Sequence, residues 1–145
     1  MKKGSTLVES IVAIAILLLA TTISLNIGII GTNSKKIRDK KNVANRVAYA
    51  IENEIKYNTT FKNLTKSFKD NKISYIYSDN TLEELVNTSI LDLEIGEGIE
   101  IEKVKEILTS EDENMPVMEL KVKIKDDDGG ILCERKFIKS YWMEK

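Results

Sequence analysis

Few residues of this sequence have the types and spacing needed for catalytic or metal chemistry. The 145 residues include no histidine, which removes the commonest general base and the usual transition-metal ligand. Cys133 is the only cysteine, and it is best read as a small buried hydrophobe. The cluster formed by Asp126, Asp127 and Asp128 lacks the ligand register of an EF-hand loop, which favours a solvated turn over a Ca²⁺ site. We predict no enzyme, no bound metal and no cofactor.

One acidic residue, Glu9, stands directly before a long apolar segment. Residues 10–34 are consecutive uncharged residues, and as a helix they would reach roughly 37 Å, against a hydrocarbon core of roughly 30 Å. An ordinary signal peptide has a shorter apolar core, of about 7–15 residues. We therefore predict a membrane-spanning helix. A carboxylate is costly inside it, so Glu9 either lies at the headgroup boundary or has a partner.

The residues around Glu9 read KKGSTLVESIVA, at positions 2–13. This string resembles the prepilin motif of type IV pilins and of type II secretion and competence pseudopilins. In that family a short basic leader ends in Gly, and a hydrophobic residue, Thr-Leu-(Val/Ile)-Glu and a long apolar helix follow. Gly4 matches the last leader position and residues 6–9 match the motif core. Ser5 departs from the pattern, because the family usually has Phe or Met there.

The resemblance implies a processing and assembly pathway. Residues 1–4 would be a leader that prepilin peptidase removes by cutting between Gly4 and Ser5 on the cytoplasmic side, after which the amine of Ser5 is methylated. Glu9 would then pair with the N-terminal amine of a neighbouring subunit, although a pair within one chain is also geometrically possible. The implied partners are other pilin subunits, the peptidase, the membrane and, indirectly, the assembly platform and its ATPase. No nucleic acid is expected, since the net charge is −1.

The rest of the chain divides by hydrophobic period. Residues 5–34 form the membrane or filament-core helix, in which Ala20, Ser24 and Gly28 share one face and would allow close helix packing. An amphipathic stalk helix is predicted over residues 35–57, from apolar residues at four-residue spacing: Val43, Val47, Ile51 and Ile55, with Ala44 and Ala48 alongside. Residues 58–145 would form an antiparallel sheet domain, with strands at 73–77, 99–108, 117–124 and 131–142.

The predicted fold is α+β and pilin-like: a long N-terminal helix whose second half packs on an antiparallel sheet of three to four strands. The favoured function is a minor, priming or tip-type subunit of a type IV pilus, held first in the bacterial inner membrane with its C-terminal domain outside and later in an extracellular filament. Two alternatives stay open. One is a pseudopilin of a secretion or competence system, and the other is a single-span anchored binding protein that never polymerises. The net +4 of residues 35–41 opposes the outward orientation, because positive flanks tend to stay in the cytoplasm, and recognition of the leader would have to override that bias.

Overall fold

In a computed structural model of the protein, the described residues are 3–108 and 116–143, with side chains for residues 7–106, 116–141 and 143. Residues 1 and 2 of the predicted leader lie outside this range. The chain divides into two compact units, Met1–Asp39 and Lys40–Lys145.

Helix α1 spans Lys3–Asn53. No proline interrupts it, and hydroxyl side chains in its apolar part hydrogen-bond back to the helix carbonyls, as Thr22 Oγ1 does with Leu18 O at 2.8 Å. A π-helical turn, Glu54–Asn58, follows α1, and its end is marked by a bond from Thr59 N to Glu54 O at 3.0 Å. This i to i+5 bond widens the last turn of the long helical segment.

Two short helices stand in the chain before and after the first strand of the sheet. Helix α2 spans Phe61–Ser67 and begins at an N-cap, Thr60, whose side chain accepts a hydrogen bond from Asn63 N. Helix α3 spans Thr81–Asn87. Two 3₁₀ turns complete the helical elements of the described residues, at Ile90–Asp92 and Tyr141–Met143.

The sheet is a four-stranded antiparallel meander in the order β1-β2-β3-β4. Its strands are Lys72–Ile76, Gly98–Leu108, Pro116–Lys125 and Ile131–Ser140. Burial alternates along β3, where the fully buried side chains are Met118, Leu120, Val122 and Ile124. This alternation confirms the sequence prediction for β3, because a strand with one solvated face has a side-chain period of two. A tight turn joins β3 to β4 and has Gly129 at φ +78°.

One face of α1 in the second unit packs against the inner face of this sheet. The helix contributes fully buried side chains to the core: Ala44, Val47, Ala48, Ile51 and Ile55. The predicted fold class is therefore confirmed, with four strands. Val43 differs from the predicted stripe, since it is 36% exposed and lies at the margin of the buried face. Cys133 is buried as predicted, and its Sγ donates to Asn45 Oδ1 at 3.0 Å.

Candidate functional site

The first unit exposes a long apolar helical surface. Every large apolar side chain from Leu7 to Ile30 is at least half exposed. Among the described residues, the long N-terminal helix is the one helix that is long and apolar enough to cross a membrane, and its most apolar window has a mean hydropathy of 2.3. A helix that is apolar on all sides needs a nonpolar environment around its whole circumference, which either a bilayer or neighbouring helices can supply.

The predicted processing and pairing residues lie on consecutive turns of this helix. The backbone of Gly4 and Ser5 belongs to the first turn of α1. Glu9 follows one turn later and is exposed. About four residues of helix correspond to one turn, so Ser5 and Glu9 lie on the same side of α1. Their spacing can serve a pair within the chain or present both groups to a neighbour.

The predicted small-residue face is present on the same helix. Ala20, Ser24 and Gly28 are all exposed, and Ser24 Oγ donates to Ala20 O at 2.9 Å. A Cβ placed on Gly28 would meet no atom within 4 Å. The hydroxyl of Ser24 is thus satisfied within its own helix, and the face is smooth enough for another helix to approach closely.

In the second unit, a partly buried ion cluster joins α1 to β4. Glu52 accepts hydrogen bonds from Lys56 Nζ at 2.6 Å and from Arg135 Nη2 at 2.7 Å. The Arg135 guanidinium also lies over the Tyr49 ring, 5.4 Å from its centroid. Burial opposes ionisation of Glu52, but the hydrogen bonds from Lys56 and Arg135 outweigh it and hold the pKa of Glu52 below its ordinary value.

Close to this cluster, Lys139 is fully buried and donates from Nζ to Lys56 O at 2.8 Å. The last carbonyls of a helix have no partner in the helix itself, so this ammonium group satisfies one of them at the π-helical turn. The ion cluster and Lys139 together fasten the C-terminal end of the long helical segment to β4. This arrangement therefore has a structural role, because it stabilises the contact between the end of the helical segment and β4.

We expect Glu52→Gln to destabilise the domain by about 1–3 kcal/mol at pH 7, because it leaves Lys56 and Arg135 without their carboxylate. The folded-state pKa of Glu52 is lowered, so its contribution is fully present above the unfolded value of 4.5 and is lost as the pH falls through the folded value. Denaturant unfolding of the native protein and of Glu52→Gln between pH 3 and pH 7 measures this contribution. The free energies of unfolding of the two proteins should become equal at the acid end of this range. Glu102→Gln is the control.

Glu102 is a fitting control because it also has two lysine partners, at 2.7 and 3.6 Å, but its side chain is 43% exposed. Exposed ion pairs contribute less than about 1 kcal/mol. An equal loss of stability in the two variants, or a Glu52→Gln protein with the same pH dependence as the native one, would contradict a special role for the buried cluster.

The acidic turn after β3 forms an ion pair with a lysine of α1. Lys40 Nζ donates to both carboxylate oxygens of Asp126, at 2.9 and 3.0 Å. Each group shifts the other, mainly through this hydrogen bond: the pKa of Lys40 is raised and that of Asp126 is lowered. Within the part of the chain that the structure describes, no group of three or more His, Cys, Asp or Glu side chains is placed to hold a metal ion.

The polar contacts that α1 makes with β4 and with the turn after β3 were not predicted from the sequence. Glu52 and Arg135 are 83 residues apart, and Lys40 and Asp126 are 86 apart, so no local pattern marks them as partners. The predicted residues of the N-terminal motif, by contrast, are brought together by helix geometry alone. No protein-family model, curated protein or solved structure matches the chain.

Proposed function

We propose that this chain is a structural subunit, of the minor, priming or tip type, in a type IV pilus or a related filament. Two features support the proposal. The motif at residues 4–9 combines a leader glycine with Thr-Leu-Val-Glu, and an exposed apolar helix follows it directly. The long helix, continued by a small antiparallel sheet domain, is also the layout that the resemblance implies.

The chemistry of the motif explains how such a subunit would assemble. Cutting between Gly4 and Ser5 removes the leader lysines and leaves a free amine at the tip of an apolar helix. That amine and the Glu9 carboxylate are each costly in a low-dielectric setting, and pairing them offsets much of the cost. If the pair forms between subunits, the contact sets the position of each incoming chain. Methylation of the Ser5 amine keeps its positive charge.

The observation that carries the proposal is the position of Glu9. It is the only charged residue between Lys3 and Lys35, and it stands one turn beyond the predicted cleavage site. The other partners follow from the pathway: prepilin peptidase on the cytoplasmic side, then the platform and ATPase that move subunits from the inner membrane into the extracellular filament. The sheet domain would face outward throughout.

The mass of the mature protein tests the proposal. We expect a chain that begins at Ser5, with or without one added methyl group, when the protein is isolated from cells that contain a prepilin peptidase. Deletion of the peptidase should restore residues 1–4. An intact Met1 in the presence of the peptidase, or a cut near residue 31, would overturn the proposal.

A second candidate is a single-span anchored binding protein that does not polymerise. The basic residues of the 35–41 segment favour it, because a net +4 flank tends to stay in the cytoplasm and would place the sheet domain there. Protease digestion of intact spheroplasts separates the two candidates. Digestion of the sheet domain from outside agrees with a filament subunit, and protection of that domain agrees with the anchored protein.

A further inference from the structure

Among the described residues of the apolar run 10–34, the side chains of Asn26, Asn33 and Ser34 have no hydrogen bond within their own helix, and Asn26 lies farthest from the ends of the run. The hydroxyls of Thr21, Thr22, Ser24 and Thr32 each donate to a carbonyl three or four residues earlier, at 2.8–3.0 Å. Among the residues that the structure describes, the Asn26 side chain has no such hydrogen bond, and it is exposed. A carboxamide offers two donors and an acceptor oxygen, and hydrocarbon supplies no partner for any of them.

The position of Asn26 along the helix places it in a regular stripe. Exposed residues recur at alternating intervals of three and four over three heptads: Val12, Ala15, Leu19, Thr22, Asn26, Ile29 and Asn33. This is the a/d spacing of a two-helix seam, in which Asn26 and Asn33 both occupy a positions and Asn33 lies at the end of the apolar run, close to the basic residues of the 35–41 segment. An Asn at an a position specifies the register of a parallel coiled coil, because two facing amides can hydrogen-bond only when they lie at the same level.

We propose that this stripe is the surface through which two copies of the chain pair in the membrane, parallel and in register, with the two Asn26 amides hydrogen-bonded to each other. The pairing rests on that part of the proposed function which places residues 7–34 in a bilayer. A carboxamide both donates and accepts, so the same residue of a second copy satisfies it.

A second copy of the chain fits this stripe because its helix lies at the same depth in the membrane. Glu9 and the basic residues of the 35–41 segment bound the apolar run on both sides, so every copy inserts to the same level and its Asn26 lies opposite that of its neighbour. The interface is then isologous, with the same stripe on each helix. Polar side chains are known to hold helices together in this setting.

Pairing through Asn26 leaves the small-residue face free. Ser24 lies about 160° from Asn26 around the helix axis, at 3.6 residues per turn. A copy paired through one face can therefore still contact further helices through Ala20, Ser24 and Gly28. The two surfaces serve different neighbours and do not compete.

Cysteine cross-linking in membranes tests the geometry. In the full chain with Cys133→Ala, we expect Ile29→Cys to form a disulfide-linked dimer on mild oxidation and Ile27→Cys to form almost none. Ile27 is a matched control, because it has the same side chain at nearly the same depth but lies about 160° from Ile29. Equal cross-linking at both positions, or none at Ile29→Cys, would overturn the proposal.

The strength of association tests the role of Asn26. By energy transfer between labelled full-length chains in lipid vesicles, we expect Asn26→Leu to lower the association constant about tenfold. Ser24→Ala, which removes a hydroxyl already satisfied in its own helix, should leave it unchanged. A native chain that is monomeric under these conditions, or an Asn26→Leu chain that associates as strongly as the native one, would overturn the proposal.

The pairing and the filament role can fail separately. A chain that keeps Met1 in the presence of the peptidase but still pairs through Asn26 would overturn the filament proposal and uphold the pairing. A chain that is processed at Ser5 and is monomeric in vesicles would do the reverse.

Discussion

Replacing Glu9 with Gln is expected to lower incorporation of the chain into filaments at least tenfold, while membrane insertion and the folded domain stay intact. The change keeps the size of the side chain and removes only its charge, so in the proposed assembly the N-terminal amine of the neighbouring subunit would lose its counter-ion in a low-dielectric setting. A loss of about 1.4 kcal/mol per contact suffices for a tenfold effect. Immunoblots of sheared filaments and of membranes, from cells with the assembly machinery, give the two amounts.

Two further variants make the result specific. Glu9→Val is more apolar and should insert at least as well as the native chain, yet it too should be missing from filaments. Glu83→Gln makes the same chemical change on an exposed turn of α3 and should be incorporated normally. Filaments that contain Glu9→Gln at the native level would show that Glu9 has no part in assembly.

Replacing Ile51 with Ala is expected to destabilise the second unit by about 2–5 kcal/mol. Ile51 is fully buried on the face of α1 that packs against the sheet, and truncation there removes apolar contacts and leaves a cavity. A domain of this size has a total stability of about 5–15 kcal/mol, so the loss is a large fraction of it. Denaturant unfolding of the full chain in detergent, followed by near-ultraviolet circular dichroism, measures the change.

Val43→Ala is the control for this experiment. Val43 lies two helical turns before Ile51 and belongs to the same predicted stripe, but 36% of its surface is exposed. We expect its truncation to cost less than about 1 kcal/mol. Equal losses at the two positions would mean that the helix packs on the sheet along the whole stripe, contrary to the burial that the structure shows.

Ile51 and Val43 show how much of the burial of α1 the hydrophobic periodicity predicts. The four-residue spacing correctly predicted which face of α1 is buried, because a helix presents residues i and i+4 on one side. It did not predict how wide the buried face is: Val43 was included in the stripe but is 36% exposed, whereas its neighbour Ala44 is fully buried. Periodicity specifies the direction of a buried face, whereas the width of that face depends on the elements that pack against it.

The sheet also has features that a local pattern predicts and features that only the tertiary structure decides. The alternation along β3 could be predicted from the sequence because one face of the strand is buried and the other is solvated. This imposes a period of two on residues Met118 through Ile124. Strand order and register could not be predicted, because the alternation within one strand does not say which residues of another strand lie opposite it. The contact of Glu52 with Arg135 and the contact of Cys133 with Asn45 belong to this second kind.

The amino-acid sequence alone determined the apolar N-terminal helix, the place of Glu9 before it, the face shared by Ala20, Ser24 and Gly28, and the alternation of a half-buried sheet. Each of these depends on spacing along one element, which helix and strand geometry convert directly into position. Only the tertiary structure decided which charges meet between α1 and the sheet, and where the helix joins β4. Those contacts join residues more than eighty positions apart, and local periodicity contains no information about such pairs.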